Sequence, residues 1–455
     1  MNRSSKPGAV ARYLAWGIAA LAAVLLIGSL WIVLGPGPMD FAGGPRVALS
    51  VYRGADPTGV PVELAGSSPI QRGAYLVRAA DCEACHSAPG GAPYAGGLSF
   101  VLPVGGTLYS TNITPDRETG IGAYSDADFL NAVRGGIGRG GAHLYPAMPY
   151  VAYAYLTDAD VLAIKAYLFN LRPERAPAPE NRLSFPFDQR WLMGVWSMLF
   201  NRDRRFEPDA QRSAPWNRGA YLVEALAHCG ECHTPRNPFQ ALDHRAKFAG
   251  EVQAGWRAYN ITGDRDSGVG AWSDAELSEY LTVGHADGRG TAAGPMSEAV
   301  DRSLSRLTQG DIAAMVSYLR SVPAVATADL AAPNPKTAPA SHKQGVAADF
   351  DRRGKAIFEG ACASCHGWTG ASPLTRFATL TGARSVNDPT AINVAQVVLS
   401  GAQRQVAGGR IYMPAFGPAY SNVEIAAVAN YVTARFGGKA SSITAQQVGQ
   451  LREGR

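Results

Sequence analysis

The chain has 455 residues, a length that fits about three domains. Its 46% hydrophobic and 17% charged residues suit globular domains plus an apolar anchor, and 51 glycines with 30 prolines fit small domains carrying long structured loops. The net charge of +5 is small for this length and is not gathered into Lys/Arg stripes, which argues against nucleic acid as a partner.

The first predicted element is a membrane helix. Arg3, Lys6 and Arg12 precede a charge-free, mostly apolar run of 22 residues from Tyr13 to Leu34. As a helix this run spans about 33 Å, against a hydrocarbon core of about 30 Å. A cleaved signal has an apolar stretch of about 7–15 residues and a small-x-small site. Here the run is longer, and Gly35-Pro36-Gly37-Pro38 stops the helix instead. Residues 1–34 therefore read as a cytoplasmic flank and an uncleaved signal anchor, with a cleaved signal as the other reading. Everything after Leu34 is exported. The Gly/Pro/Ala-rich stretch 35–66 reads as a tether.

Residues 67–178 form the next predicted unit. A helix around Arg72 to Arg78 leads into Cys82-Glu83-Ala84-Cys85-His86. The Cys-x-x-Cys-His pattern returns at Cys229-Gly230-Glu231-Cys232-His233 and at Cys362-Ala363-Ser364-Cys365-His366. This spelling reads as covalent attachment of c-type haem. Two thiols three positions apart on a tight turn reach the two vinyl groups on one porphyrin edge, and the adjacent His supplies the proximal nitrogen. A zinc site would want four ligands, and a dithiol redox site needs one Cys pair near a βαβ pattern and no His. All six cysteines lie in the three motifs. Three covalently bound haem c are expected, and with them a periplasmic body, because haem attachment is completed outside the bacterial cytoplasmic membrane.

Further along the first unit, Asn112-Ile113-Thr114-Pro115-Asp116 opens a Gly-rich loop, while Ser125 and Thr157 start helices with acidic first turns. Between them, Met148 sits beside proline in Tyr145-Pro146-Ala147-Met148-Pro149-Tyr150. A thioether there is the expected distal ligand, with His143 as competitor; Met/His ligation gives the higher potential. Residues 179–212 connect to the next unit. Within them, Trp191 to Phe200 reads either as a helix packed between domains or as an apolar face for a partner subunit or the membrane interface, with Arg202, Arg204 and Arg205 at the headgroups. Met193 and Met198 lack the proline context of a ligand.

The unit 213–325 repeats the first. Arg218 to Val223 copies Arg72 to Val77, Asn260-Ile261-Thr262 echoes Asn112-Ile113-Thr114, and Ser273 to Glu276 is a capping box. Met296 follows its motif His by 63 residues and Met148 by 62, so Met296 is the second distal candidate. His228, read as a surface or loop residue, and His285 are lesser ones, and Met315 reads as core. An Ala/Pro linker, 326–345, precedes a shorter, more distant unit, 346–438, in which Met413 is the distal candidate and Ser421 to Glu424 a capping box. The polar, Gly-rich tail 439–455 is expected to be loose. The fold class is thus mainly α: one N-terminal transmembrane helix and three cytochrome c-like domains, the first two an internal repeat.

The chain resembles the membrane-bound tri-haem cytochrome c subunits of bacterial periplasmic dehydrogenases that oxidise alcohols, gluconate and related sugar acids, aldehydes or nicotinate. The resemblance rests on Ser110-Thr111-Asn112-Ile113-Thr114-Pro115-Asp116, Tyr145 to Tyr150, Gln189-Arg190-Trp191-Leu192-Met193 and Cys232-His233-Thr234-Pro235-Arg236-Asn237. It implies haem attachment on the nine motif residues and distal ligation by Met148, Met296 and Met413. It also implies a catalytic partner subunit of pyrroloquinoline quinone, flavin or molybdenum type, with room for a small third subunit, and ubiquinone as acceptor. The expected place is the cytoplasmic (inner) membrane, in contact with its lipid and with the haem domains in the periplasm. The competing readings are a cytochrome subunit of a terminal oxidase and a free membrane-tethered shuttle. His/Met ligation fills both axial positions and argues against a peroxidase, so the chain is not expected to be catalytic alone. The apolar stretch from Trp191 to Phe200 is a candidate quinone contact.

Overall fold

The computed structural model describes residues 9–102, 105–327, 348–406 and 409–454. Arg3, Lys6 and most of the predicted linker lie outside them. The apolar run forms helix Ala9–Val33, of which Arg12–Val33 is long and apolar enough to cross a membrane by length and composition. Its last turn is pinned to the body of the protein. The Arg245 guanidinium lies 3.4 Å from the centre of the Trp31 ring and donates to the Trp31 carbonyl at 2.6 Å.

Residues 35–66, expected as a tether, are instead laid down as a strap. They form three single-turn 3-10 helices, Asp40–Ala42, Leu49–Val51 and Val62–Leu64. Arg218 donates to the carbonyls of Pro57 (3.0 Å) and Gly59 (2.9 Å), and the Gly59 N–H donates to Asp160 at 2.9 Å. Composition predicts an unpacked segment because these partners lie a hundred or more residues away in sequence.

Among the described residues, three helix pairs carry the architecture: Pro69–Ala79 on Asp158–Leu168, Ala214–Tyr221 on Gln309–Leu319, and Ala348–Ile357 on Asn422–Phe436. Each crossing holds a glycine. A Cβ on Gly73 would lie 1.9 Å from the Ala163 carbonyl oxygen, on Gly219 1.9 Å from that of Ala314, and on Gly354 2.3 Å from that of Ala427. The recurring Arg-Gly dipeptide thus marks where two helix backbones touch. Gly219→Ala is expected to force the helices apart and to destabilise the protein by about 1–3 kcal/mol, read as a lower urea midpoint.

Helix starts follow the sequence. Ser125–Asp128, Ser273–Glu276 and Ser421–Glu424 form reciprocal capping boxes. Strands are short. Ser99–Val101, Gly106–Tyr109 and Arg182–Leu183 make one antiparallel sheet, with Phe100 opposite Leu108; the rest are hairpins, the longest pairing Ala402–Val406 with Gly409–Met413. The first two helix pairs share one core, in which Tyr75, Leu156, Tyr221, Ile312, Met315 and Tyr318 are buried. A second core holds Phe358, Ile425, Val428 and Phe436. The tail, expected loose, ends in helix Ala445–Arg452, which is capped by Thr444 and Gln447 and buries Val448 and Leu451 on that second core. Two apolar residues three apart suffice to seat a polar helix.

The apolar connector is helix Trp191–Phe200. None of its residues is fully buried. Trp191 and Met198 are 64% and 77% exposed, while Trp196 donates to the Phe239 carbonyl at 2.7 Å and meets Tyr150 edge-on. One face packs and the other stays uncovered.

Candidate haem sites

Each Cys-x-x-Cys-His motif forms a short helical turn: Cys82–His86, Gly230–His233 and Ala363–His366. Before the first two turns the chain passes through left-handed residues, Asp81 (φ 50°) and His228 (φ 37°). Such positions cost of order 1–3 kcal/mol and persist where the surroundings fix them. Here one tyrosine fixes both. Tyr153 donates its hydroxyl to the Ala80 carbonyl at 2.7 Å, and its ring lies edge-on to His228 at 5.6 Å. The first two motifs are therefore neighbours, and the Arg302–Glu83 pair at 3.5 Å ties the first motif to helix Pro295–Arg302 of the second unit. His228, expected as a surface or loop residue, is an interface residue, held there by that aromatic contact.

The three motif histidines share one arrangement. Nδ1 of His86 faces the Thr111 carbonyl at 2.7 Å, Nδ1 of His233 that of Tyr259 at 2.6 Å, and Nδ1 of His366 that of Ala378 at 2.6 Å. A carbonyl only accepts, so Nδ1 carries the proton and Nε2 keeps its lone pair for a metal. Burial lowers the pKa of all three imidazoles, which keeps them neutral. The Asn-Ile-Thr loops explain the first two acceptors. Asn112 folds its loop by accepting the Thr114 N–H (2.8 Å) and donating to the Glu174 carbonyl (2.7 Å); Asn260 does the same with the Thr262 N–H (2.8 Å) and the Val325 carbonyl (2.6 Å). Each asparagine thereby presents the carbonyl of the residue before it.

No two of the six cysteines are joined in a disulfide. Among the described residues no cluster of three or more His, Cys, Asp and Glu could hold a metal ion. Unbridged thiol pairs, each beside a neutral imidazole with a free Nε2, fit haem c and do not fit zinc.

Met148 and Met296 are half-buried against the first core, and Met413 against the second. Met296 lies in the first turn of helix Pro295–Arg302, the helix that carries Arg302 to Glu83. Of the competing histidines, buried His285 is engaged at both ring nitrogens, by Thr291 (2.8 Å) and Asp287 (2.9 Å). His143 lies against Gly194, where a side chain would collide with its ring.

The third motif is tied to the second from behind. Tyr259, whose carbonyl receives His233, reaches Asp388 with its hydroxyl at 3.2 Å, and Arg257 pairs with the same carboxylate at 3.2 Å. Thr291 donates to the Phe377 carbonyl at 2.8 Å, next to the Ala378 carbonyl that receives His366. Sequence reasoning missed Tyr259, Asp388, Thr291 and Phe377. Two act through backbone carbonyls, which have no spelling of their own; only Tyr259 could have been found, from its place before the Asn-Ile-Thr echo.

The cytochrome c family matches residues 70–172, and the family described as cytochrome C oxidase, cbb3-type, subunit III matches residues 349–432. Over most of its length the chain is similar to dehydrogenase subunits. It is 40% identical over 419 residues to the fructose dehydrogenase cytochrome subunit of Gluconobacter japonicus, covering 88% of this chain and 86% of that protein. It is 38% identical to the gluconate 2-dehydrogenase cytochrome c subunit of Pantoea cypripedii (84% and 89% covered). It is 35% identical to the alcohol dehydrogenase (quinone) cytochrome c subunit of Gluconobacter oxydans (84% and 82% covered). The protein is a haem-binding electron carrier of the cytochrome c class. Within that class the chain belongs to the family of cytochrome c subunits of dehydrogenases.

Proposed function

We propose that the chain is a tri-haem subunit that takes single electrons from a periplasmic dehydrogenase catalytic subunit and passes them to ubiquinone or the respiratory chain. Cys82/Cys85, Cys229/Cys232 and Cys362/Cys365 hold three haem c, in three domains of which the first two are an internal repeat. His86, His233 and His366 are the proximal ligands, and Met148, Met296 and Met413 the distal ones. The observation that carries this reading is the common Nδ1-to-carbonyl bond behind each motif histidine. Bound haem supplies one-electron Fe(III)/Fe(II) exchange. The protein orients the imidazoles, keeps them neutral and sets the second motif between the other two.

A catalytic partner is favoured over a terminal oxidase because dehydrogenase subunits match over 84–88% of the chain, whereas the oxidase family matches residues 349–432 only. The grip of Arg245 on Trp31 supports a retained anchor, and the periplasm is proposed for the haem domains because haem is attached on that side. The test is purification of the tagged protein from detergent-solubilised membranes, with haem counted per chain and the co-purifying subunit's prosthetic group identified. Three haems and a stoichiometric subunit bearing pyrroloquinoline quinone, flavin or molybdenum are expected; recovery with oxidase subunits would overturn the partner. Met148→Leu is expected to lower the potential of one haem and to remove its sulfur-to-iron charge-transfer band; retention of both would sink that ligand.

A further inference from the structure

Where the second unit meets the third, a buried histidine faces more acceptors than a neutral ring can serve. His285 and Thr291 stand directly opposite each other in the hairpin His285–Ala286/Gly290–Thr291, so their side chains share one face. The hairpin is seated on the third unit. The Arg384 N–H donates to the Arg289 carbonyl at 2.9 Å, and the ring centres of His285 and Phe377 are 5.0 Å apart. His285 is 2% exposed. Its Nε2 lies 2.9 Å from Asp287, and its Nδ1 lies 2.8 Å from the Thr291 hydroxyl oxygen. That hydroxyl has a single hydrogen, which it donates to the Phe377 carbonyl at 2.8 Å.

A carbonyl and a carboxylate only accept. With the Thr291 hydrogen on Phe377, the Thr291 oxygen accepts from Nδ1 while Asp287 accepts from Nε2. Both ring nitrogens then carry a hydrogen, and the ring is an imidazolium. A neutral ring has one N–H. It stays on Nε2, because a bare nitrogen facing the carboxylate would repel it, and Nδ1 then takes the Thr291 hydrogen. The Phe377 carbonyl loses its donor in that state. The next carbonyl along the chain, that of Ala378, is the one that receives Nδ1 of His366. The other charged groups around the ring are paired. Arg376 of the third unit meets Glu279 at 2.7 Å and reaches Asp287 at 3.8 Å, Arg289 meets Glu276 at 2.9 Å, and Arg404, on the Gly284 carbonyl, meets Asp301 at 2.8 Å. The Asp287 side chain is 74% exposed, so a proton reaches the ring from water there. In the first unit the corresponding bridge, after the left-handed Gly136 that matches Gly284, pairs Ile137 with His143 and offers no hydroxyl to relay a change.

We propose that His285 and Thr291 are positioning residues for the third motif histidine and form a proton-controlled clasp between the second and third units. With His285 charged, Thr291 holds the Phe377 carbonyl. With His285 neutral, Thr291 turns to the ring and releases that carbonyl, and one proton passes to water. The proposal rests on the reading of His366 as a haem ligand. A cation beside this segment favours the reduced, less positive iron, so the charged state goes with the higher potential. Reduction at the third motif therefore draws a proton from water onto His285.

The test is a redox titration of the purified, haem-loaded protein, followed by its absorption spectrum, from about pH 5 to 8, the range in which an imidazole changes charge. Comparison with the variant carrying Cys362→Ser and Cys365→Ser picks out the wave of the third haem. As the pH rises, that wave is expected to move to lower potential by about tenfold in its reduction equilibrium, the scale of one hydrogen bond. His285→Gln, whose amide can donate to Asp287 and accept from Thr291 as the neutral ring does, is expected to bind all its haem and to hold the wave at its high-pH position throughout. Thr291→Ser keeps the relay hydroxyl and is expected to keep the shift, whereas Thr291→Val is expected to lose most of it. A third wave that ignores pH, or that moves equally in His285→Gln, would overturn the clasp and leave the haem reading standing. An undiminished shift in Thr291→Val would overturn the relay through Phe377. A third motif that binds no haem in the parent protein would overturn both the clasp and the haem reading.

Discussion

Replacing Cys229 and Cys232 by serine is expected to yield a chain with one covalent haem fewer and to stop electron transfer between the first and third motifs, while both of those remain reducible by a soluble donor. A serine hydroxyl cannot replace the thiol that adds across a vinyl group, so the haem of that motif is not retained. The consequence for transfer follows from the contacts. The first motif meets the second through Tyr153, and meets helix Pro295–Arg302 of the second unit through Arg302. The third is tied to it through Tyr259–Asp388 and Thr291–Phe377. The second motif therefore stands between the other two, and its loss opens the chain in the middle. The same double substitution at Cys362 and Cys365 is expected to remove one haem and leave transfer between the first two. Haem counted per chain and stopped-flow reduction through the partner subunit check both. Undiminished transfer past an empty second motif would show that the first and third haems exchange electrons directly.

What was legible in the sequence was what acts over a few residues. The Cys-x-x-Cys-His turns, the capping boxes at Ser273 and Ser421, the apolar run ending at Gly35-Pro36 and the core position of Met315 all stand where local spacing put them. Asn112 and Asn260 were visible as an echo, but their task, presenting the preceding carbonyl to a histidine, was not. What escaped depends on partners remote in the chain. Residues 35–66 read as a tether because their composition is that of one, yet Arg218 and Asp160 hold them down. Asp160 reads as a first-turn acid that favours a helix start, and Asp311 lies in the first turn of the corresponding helix of the second unit. In the fold they turn inward, to Tyr221 and Tyr75, each in the opposite helix pair. No window of fifteen residues contains such an exchange.

That exchange sets the largest stability effect expected in the protein. Asp311 receives Arg218 through both carboxylate oxygens, Nε at 2.8 Å and a terminal nitrogen at 2.7 Å, and the Tyr75 hydroxyl at 2.6 Å. The two charged side chains are 12% and 4% exposed. Asp311→Ala leaves a buried guanidinium and a buried hydroxyl without their acceptor, and breaking a buried pair from one side costs about 3–5 kcal/mol. Asp160 offers the contrast. Among the described residues it accepts Tyr221 and the Gly59 N–H but no arginine, and Arg72, the counterpart of Arg218 in the recurring Arg-Gly pair, has its Nε buried without a partner among them. Asp160→Ala is therefore expected to cost less, about 1–3 kcal/mol. Adding Arg218→Met to Asp311→Ala removes the stranded charge and is expected to recover a good part of the loss, because an apolar replacement of a buried ion pair is often neutral. Urea unfolding of the three variants and the parent, followed by tryptophan fluorescence, measures the differences. If Asp311→Ala proves no more costly than Asp160→Ala, or if the double variant recovers nothing, the arginine does not set the cost, and the strap across Pro57 and Gly59 would have to carry it.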